Sequence, residues 1–144
     1  MKILLQRVSR AEVAAGGEVL GRIGCGVVLL VGFGRAEVDV ARAADKVVNL
    51  RIFAGARGRP ERSVAEVGGG VLAVPQFTLY GSTRKGRRPD FTGALQPALA
   101  ESRFRAFVEC LRQTPVAAVQ SGRFGADMRV EMVNDGPFTL MLEF

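Results

Sequence analysis

The longest apolar stretch in the chain, the 11 residues from Ile23 to Phe33, is interrupted only by glycines at 24, 26 and 32. Within it Val27-Val28-Leu29-Leu30-Val31 leaves no polar position, so as a strand it has to be covered on both faces. It is too short to cross a bilayer, which takes about 20 residues of helix. The rest of the chain must therefore supply an apolar layer on each side. Ile3 to Val8 reads as a first strand, and Val13–Ala15 and Glu18–Leu20 flank Gly16-Gly17 as a tight hairpin. Glu37 to Leu50 carries Val40, Ala43, Ala44, Val47 and Val48 on one helical stripe, with Glu37 and Asp39 in its first turn. Arg57 to Ser63, polar and holding Pro60, reads as a loop. Gly68-Gly69-Gly70 is a turn into a strand over Val71–Val74 that meets Pro75. Glu101 to Arg112 spaces Phe104, Phe107, Val108 and Leu111 helically, in a helix that begins just after Pro97 and ends before Pro115. Met128, Val130 and Met132, then Phe138, Leu140, Leu142 and Phe144, alternate as two half-buried strands joined by a turn at Asn134-Asp135-Gly136-Pro137.

This order (strands, helix, strands, helix, strands) predicts an α+β fold, one domain over 1–144, with helices packed on a mixed or antiparallel sheet. No GxGxxG opens a helix after the first strand, and no P-loop is present. The 20 Lys+Arg against 14 Asp+Glu give a net charge of +6, a bias toward anionic partners. The start of the chain runs straight into alternating sequence without a cleavage-like site, so no membrane association and a cytoplasmic location are expected. Cys25 and Cys110 have no neighbours at metal-ligand spacing and read as buried small hydrophobes.

Histidine is absent. That removes Ser-His-Asp triads, Cys-His pairs, HExxH zinc sites and histidine bases from this chain's chemistry. No metal or other cofactor is expected. Hydroxyls, amides, carboxylates, basic side chains and backbone dipoles remain. Two clusters stand out. Pro75-Gln76-Phe77-Thr78-Leu79-Tyr80 reads as a strand ending in a threonine, and the loop behind it holds Arg84, Lys85, Arg87 and Arg88. That arrangement places a hydroxyl and backbone N–H groups beside a phosphate-binding patch, or it is a strand end followed by a solvated loop. Asn134 to Pro137 is either a functional element or a turn made for local backbone reasons.

At both clusters the sequence resembles the D-aminoacyl-tRNA deacylases, marked by SQFT and NxGPxT. Here these read Pro75-Gln76-Phe77-Thr78 and Asn134-Asp135-Gly136-Pro137-Phe138-Thr139. The similarity continues through LLQRVSRAEV, Arg51-Ile52-Phe53 and Ser121-Gly122-Arg123-Phe124-Gly125-Ala126-Asp127-Met128, nearly the whole chain in order. The resemblance implies a barrel-like deacylase fold and hydrolysis of the ester between a D-amino acid, or glycine, and tRNA. It implies a homodimer in which the Gly136-Pro137 pair, joined by a cis peptide, reaches into the partner's pocket and excludes L side chains. Gln76, Phe77 and Thr78 would form the catalytic edge, with N–H groups near Phe77 and Thr78 facing the oxyanion. Asn134, Phe124 and Met128 would join Gly136 and Pro137 around the substrate, and Arg84, Lys85, Arg87 and Arg88 would meet the tRNA. The family view gives the attack to the terminal ribose 2′-OH, which suits a chain without histidine.

One position departs from the pattern: the serine of SQFT is Pro75 here. A related branch acting on mischarged L-alanine carries proline there, but it replaces the following phenylalanine, and Phe77 and Asp135-Gly136-Pro137-Phe138 fit the D-specific branch. The alternatives are a tRNA-binding module without hydrolysis, a deacylase with altered specificity toward mischarged tRNA, and an esterase for small D-amino acid esters.

Overall fold

The computed structural model describes residues 1–55 and 58–144. Its backbone is a six-stranded mixed sheet built around one long strand, β1 (Lys2–Ala15). On one edge β1 pairs first with β3 (Gly26–Gly32) over Lys2–Val8, then with β2 (Glu18–Ile23) over Ala11–Ala15. On its other edge it pairs with β8 (Arg129–Glu143) along nearly its whole length. β6 (Gly70–Pro75) runs parallel to β3, and β7 (Ala118–Ser121) parallel to β6. The sheet curls until its two ends meet: a methyl added to Gly21 of β2 would lie 2.9 Å from Cβ of Gln120 in β7. The expected α+β class, with a barrel-like mixed sheet, is what forms.

The apolar strand is covered on both faces because alternation divides it between two cores. Val27, Leu29 and Val31 face the layer beneath the helices with Ile3, Leu5, Val71 and Ala73. Val28 points into the barrel with Val8, Val13, Ile23, Leu72 and Val74. β3 and β6 approach closely at Gly26, where a Cβ would sit 2.0 Å from the carbonyl oxygen of Gly70. At the predicted hairpin Gly16 and Gly17 have φ of 58° and 83°, the left-handed pair that a two-residue turn of matching twist needs. Helices α1 (Val40–Asn49) and α2 (Pro97–Arg112) cover the first core with Ala43, Ala44, Val47 and Val48 from one and Ala100, Phe104, Phe107, Val108 and Leu111 from the other. Pro97 occupies the first turn of α2, where a missing N–H leaves no bond unmade.

Several elements differ from expectation. α1 starts at Val40: Asp39 is its cap, accepting the N–H of Arg42 at 3.0 Å, and Glu37 lies outside it, 3.2 Å from Arg103. Of the loop expected over Arg57–Ser63, Arg57 lies outside the described residues and Pro60–Arg62 is a strand, β5, paired with β4 (Phe53–Ala54). Proline is tolerated there because the two-stranded ribbon leaves each strand an open edge. Cys25 is exposed in the β2–β3 connection, and Cys110 is only half-buried against the core. Asn134–Pro137 does not reverse the chain. Both flanking segments pair with β1 in the same sense, so β8 is one strand carrying an excursion: Gln6 faces Thr139 and Val8 faces Asn134, leaving four β8 residues against one of β1. Thr78 is not on a strand, since β6 stops at Pro75 and Phe77–Tyr80 forms a 3₁₀ turn.

Candidate active site

The parallel strands β3 and β6 end side by side at Gly32 and Pro75, and a cavity of ≈ 690 Å³ opens just beyond them. Ligands collect at the carboxyl ends of parallel strands because the chain diverges there and leaves backbone groups unpaired. Val31–Phe33 and Val74–Phe77 form one wall. The residues leading into α2 (Phe91, Leu95, Pro97) form the second, and Phe124–Val130 excluding Arg129 form the third. The lining is mainly apolar, and its polar part consists of backbone groups, the Gln76 and Gln96 amides and the Asp127 carboxylate.

Pro75 costs the sheet nothing. In β6 the carbonyl of Ala73 accepts the N–H of Gly122 at 2.8 Å and the N–H of Gln76 bonds Val31 at 2.7 Å, so residue 75 aims its nitrogen at the β7 side. β7 pairing has ended one step earlier, at Ala73 and Ser121. Pro75 therefore removes no ladder bond and adds an apolar ring to the pocket.

The turn after Pro75 supplies the polar edge. Among the described residues no acceptor takes the N–H of Phe77 or of Thr78, the first two groups of the 3₁₀ turn, whose cap Gln76 makes no side-chain bond to the backbone. The Gln76 amide instead donates to the hydroxyl oxygen of Thr78. An amide donor cannot take a proton, so this contact orients Thr78 without activating it. Tyr80 closes the turn by lying over Gly34. Burial raises its phenol above the ordinary value, against the opposing effect of a Gly34 N–H, and the group stays neutral at physiological pH.

Gln76, Phe77, Phe124 and Met128 thus meet in one cavity, with Thr78 on the adjoining turn. Asn134, Gly136 and Pro137 do not line it: they lie on the β8 excursion, with Gly136 and Pro137 exposed and the peptide between them cis. Asn134 ties the excursion off, its oxygen accepting Phe138 N–H at 3.1 Å and its nitrogen donating to Thr139 Oγ1 at 3.0 Å. Arg84, Lys85, Arg87 and Arg88 sit on an exposed loop pinned at its base by two bonds between Ser82 and Asp90, at 2.7 and 2.9 Å. Among the described residues none of the four has an acidic partner within 4.0 Å. The N–H and hydroxyl of Thr92, each 2.9 Å from the Asp90 carboxylate, hold that group below the ordinary carboxylate range.

Sequence reasoning missed two residues. Arg7, half-buried on β1, bonds the carbonyl of Asp135 at 3.1 Å and its carboxylate at 3.2 Å, donates to the Ile52 carbonyl, and stacks 5.1 Å from the Phe138 ring centre. It carried little signal in the sequence, since β1 also holds Lys2, Gln6, Arg10 and Glu12. Phe91 packs edge-on against Phe77, with ring centres 5.1 Å apart and planes at 68°.

Comparison with known proteins matches this arrangement to one family. The model of the D-Tyr-tRNA(Tyr) deacylases matches residues 4–143. The chain belongs to that deacylase family. A D-aminoacyl-tRNA deacylase of Symbiobacterium thermophilum is 49% identical over 145 residues, covering 99% of this chain and 95% of its own. One from a Roseiflexus species is 48% identical, covering 99% and 93%. Among solved structures, one described as a c-Myc DNA unwinding element binding protein is 38% identical with a TM-score of 0.92, covering 100% of this deacylase and 99% of that chain. A second, of a probable eukaryotic D-amino acid tRNA deacylase, superposes with a TM-score of 0.85 at 20% identity, covering 98% and 97%, and shares the fold. No helix among the described residues is long and apolar enough to cross a membrane.

Proposed function

We propose that the cavity beyond β3 and β6 receives the aminoacylated 3′ end of a tRNA carrying a D-amino acid or glycine, and that its polar edge is where the family's ester hydrolysis takes place. The activity is that of a D-aminoacyl-tRNA deacylase, a hydrolase of translation quality control that binds tRNA as its substrate. The observation that carries the assignment of the site is that the N–H groups of Phe77 and Thr78, at the rim of a mainly apolar cavity, have no acceptor among the described residues. Donors held in place before the reaction stabilise the oxyanion that forms when an acyl ester is attacked, and they need no reorganisation to do so. With histidine absent, the Tyr80 phenol neutral and Thr78 held by an amide, no side chain of the turn itself is a ready base, and the carboxylate that lines the cavity, Asp127, belongs to the separate Phe124–Val130 wall. The attacking oxygen is then best supplied by the substrate, from the 2′-hydroxyl of the terminal ribose, while Gln76, Phe77 and Thr78 hold the ester in place.

Selectivity falls to Gly136 and Pro137 of a second copy. The excursion of β8 projects both residues into solvent, and Arg7, Asn134 and Thr139 fix its shape. In a homodimer each excursion enters the partner's cavity beside Phe124 and Met128, and its carbonyls fill the volume an L side chain would need. Steric exclusion is steep, and a discrimination of about 1000-fold takes only about 4 kcal/mol. Arg84, Lys85, Arg87 and Arg88, which have no acidic partner among the described residues, contact the phosphates of the acceptor end. The fold spans 1–144 as one catalytic unit, it works in the cytoplasm, and no metal or cofactor enters the reaction. The test is a crystal structure with a non-hydrolysable D-aminoacyl-adenosine. The reading requires the ester carbonyl within hydrogen-bond reach of the Phe77 and Thr78 N–H groups, and Pro137 of a second subunit against the Cα. A ligand seated elsewhere, or Pro137 facing solvent in the complex, would refute it.

A further inference from the structure

Phe91 joins two parts of the molecule that the proposed function keeps apart. The loop bearing Arg84 to Arg88 ends at Asp90, where the Ser82 bridge and the Thr92 contacts hold the backbone on both sides of Phe91. The ring of Phe91 then reaches both ends of the 3₁₀ turn. It meets Phe77, the first residue, edge-on at 5.1 Å, and it presses so closely on Gly81, just past the last, that a methyl there would stand 2.8 Å from Cε1. The far half of the turn is held by Leu79 and Tyr80, which pack on Gly32 and Gly34, but its first residue has less support. The turn is four residues long, lacks a side-chain cap, and leaves Phe77 56% exposed.

We infer that Phe91 is a positioning residue, holding the Phe77–Tyr80 turn in register and carrying the seating of tRNA phosphates on the basic loop to the N–H groups of Phe77 and Thr78. The inference rests on the proposed roles of that turn and that loop. A shift of the loop base moves Phe91, and a move of Phe91 toward the turn displaces the ring of Phe77 or meets Gly81, while a move away removes the edge-on contact that Phe77 leans on. Seating of the RNA and alignment of the donors therefore become one event.

The experiment has two parts. In steady-state hydrolysis of D-tyrosyl-tRNA, Phe91→Leu, which keeps an apolar side chain in the cavity wall, lowers kcat by about 2- to 12-fold, the span of an edge-to-face aromatic pair, with a smaller change in KM. Phe91→Tyr keeps the ring and restores kcat. In an NMR titration, an RNA acceptor minihelix lacking its 3′-terminal adenosine reaches the loop but not the pocket. It shifts the Phe77 and Thr78 amide resonances in the wild type, and in Phe91→Leu it binds as tightly without shifting them. An unchanged kcat in Phe91→Leu, a rise in KM alone, or a failure of Phe91→Tyr to restore kcat overturns the inference. So does a wild-type titration in which the two amides do not respond, a result that needs no variant to fold. A wild type that releases no D-tyrosine overturns the functional reading and this inference with it, whereas a D-specific wild type failing these tests overturns the inference alone.

Discussion

Replacing Gly136 with alanine separates folding from function at the proposed chiral gate. Gly136 has φ of 123°, a conformation L residues rarely adopt, and an alanine methyl there would stand 2.8 Å from Nη2 of Arg7 and 3.2 Å from the nitrogen of Phe138. Holding a non-glycine residue at such a φ costs about 1–3 kcal/mol. Displacing Arg7 weakens an ion pair whose Asp135 side chain is 60% exposed, an interaction worth about 1 kcal/mol or less. Since the excursion is exposed and free to relax, the net loss in urea unfolding should be about 1–3 kcal/mol. A domain with about 5–15 kcal/mol of stability stays roughly 97% folded even at the unfavourable end of both ranges. Loss of folded protein therefore accounts for only a few per cent of any fall in activity. Because the methyl displaces the carbonyls proposed to frame the substrate, kcat/KM on D-tyrosyl-tRNA should fall at least about 10-fold, some 1.4 kcal/mol. In an Arg7→Ala background the same substitution should destabilise less, since one of the two crowding atoms is gone. Wild-type kcat/KM together with an unchanged urea midpoint would show that neither the backbone angle nor the Arg7 contact constrains this site.

Other expectations follow from the same geometry. Arg87→Ala with Arg88→Ala should weaken tRNA binding and reduce the slope of log K against log salt by roughly one unit for each phosphate no longer neutralised, at unchanged thermal stability; equal binding at low and high salt would make the loop a solvated surface. Thr78→Ala should retain substantial turnover with no acyl-enzyme trappable in the wild type, and a normal rate on tRNA ending in 2′-deoxyadenosine would overturn the assignment of the attack to the ribose. Asp90 is held below the ordinary carboxylate range by Thr92, so its contribution is complete above that range and is lost as pH falls through the lowered value. Protection of the Ser82 and Thr92 amides, taken relative to the intrinsic exchange rate at each pH, should therefore fall in acid in the wild type, while Asp90→Asn should be less protected already at neutral pH; the same protection profile in both proteins would contradict this. EDTA should leave turnover intact while the tRNA stays folded, and a requirement for stoichiometric metal would refute the metal-free chemistry.

How much of this was legible beforehand depended on whether a residue's role is local. Val27–Val31 announced a two-sided strand because five apolar residues in a row leave no face for water, and Gly16-Gly17 announced a hairpin because only φ above zero at both positions suits it. Phe104, Phe107, Val108 and Leu111 marked the buried face of α2 through spacing alone. The turn-forming residues Asn134 to Pro137 misled, since the same backbone preferences serve an excursion within one strand as well as a reversal between two, and only pairing with β1 distinguishes them. Thr78 looked like the end of a strand because threonine suits strands, but β6 loses its neighbour after Ser121 and coils into the 3₁₀ turn. Motif resemblance found Gln76, Phe77, Phe124 and Met128, which do converge on one cavity. Arg7 and Phe91 stayed hidden because their partners, Asp135 and Phe77, are brought to them by tertiary folding and leave no periodic trace.

The most direct test of the central claim is the release of free amino acid from D-tyrosyl-tRNA and L-tyrosyl-tRNA by the purified protein, each corrected for spontaneous hydrolysis. The account predicts rapid release from the D-substrate and release at the uncatalysed rate from the L-substrate. Equal acceleration of both, or of neither, would contradict it.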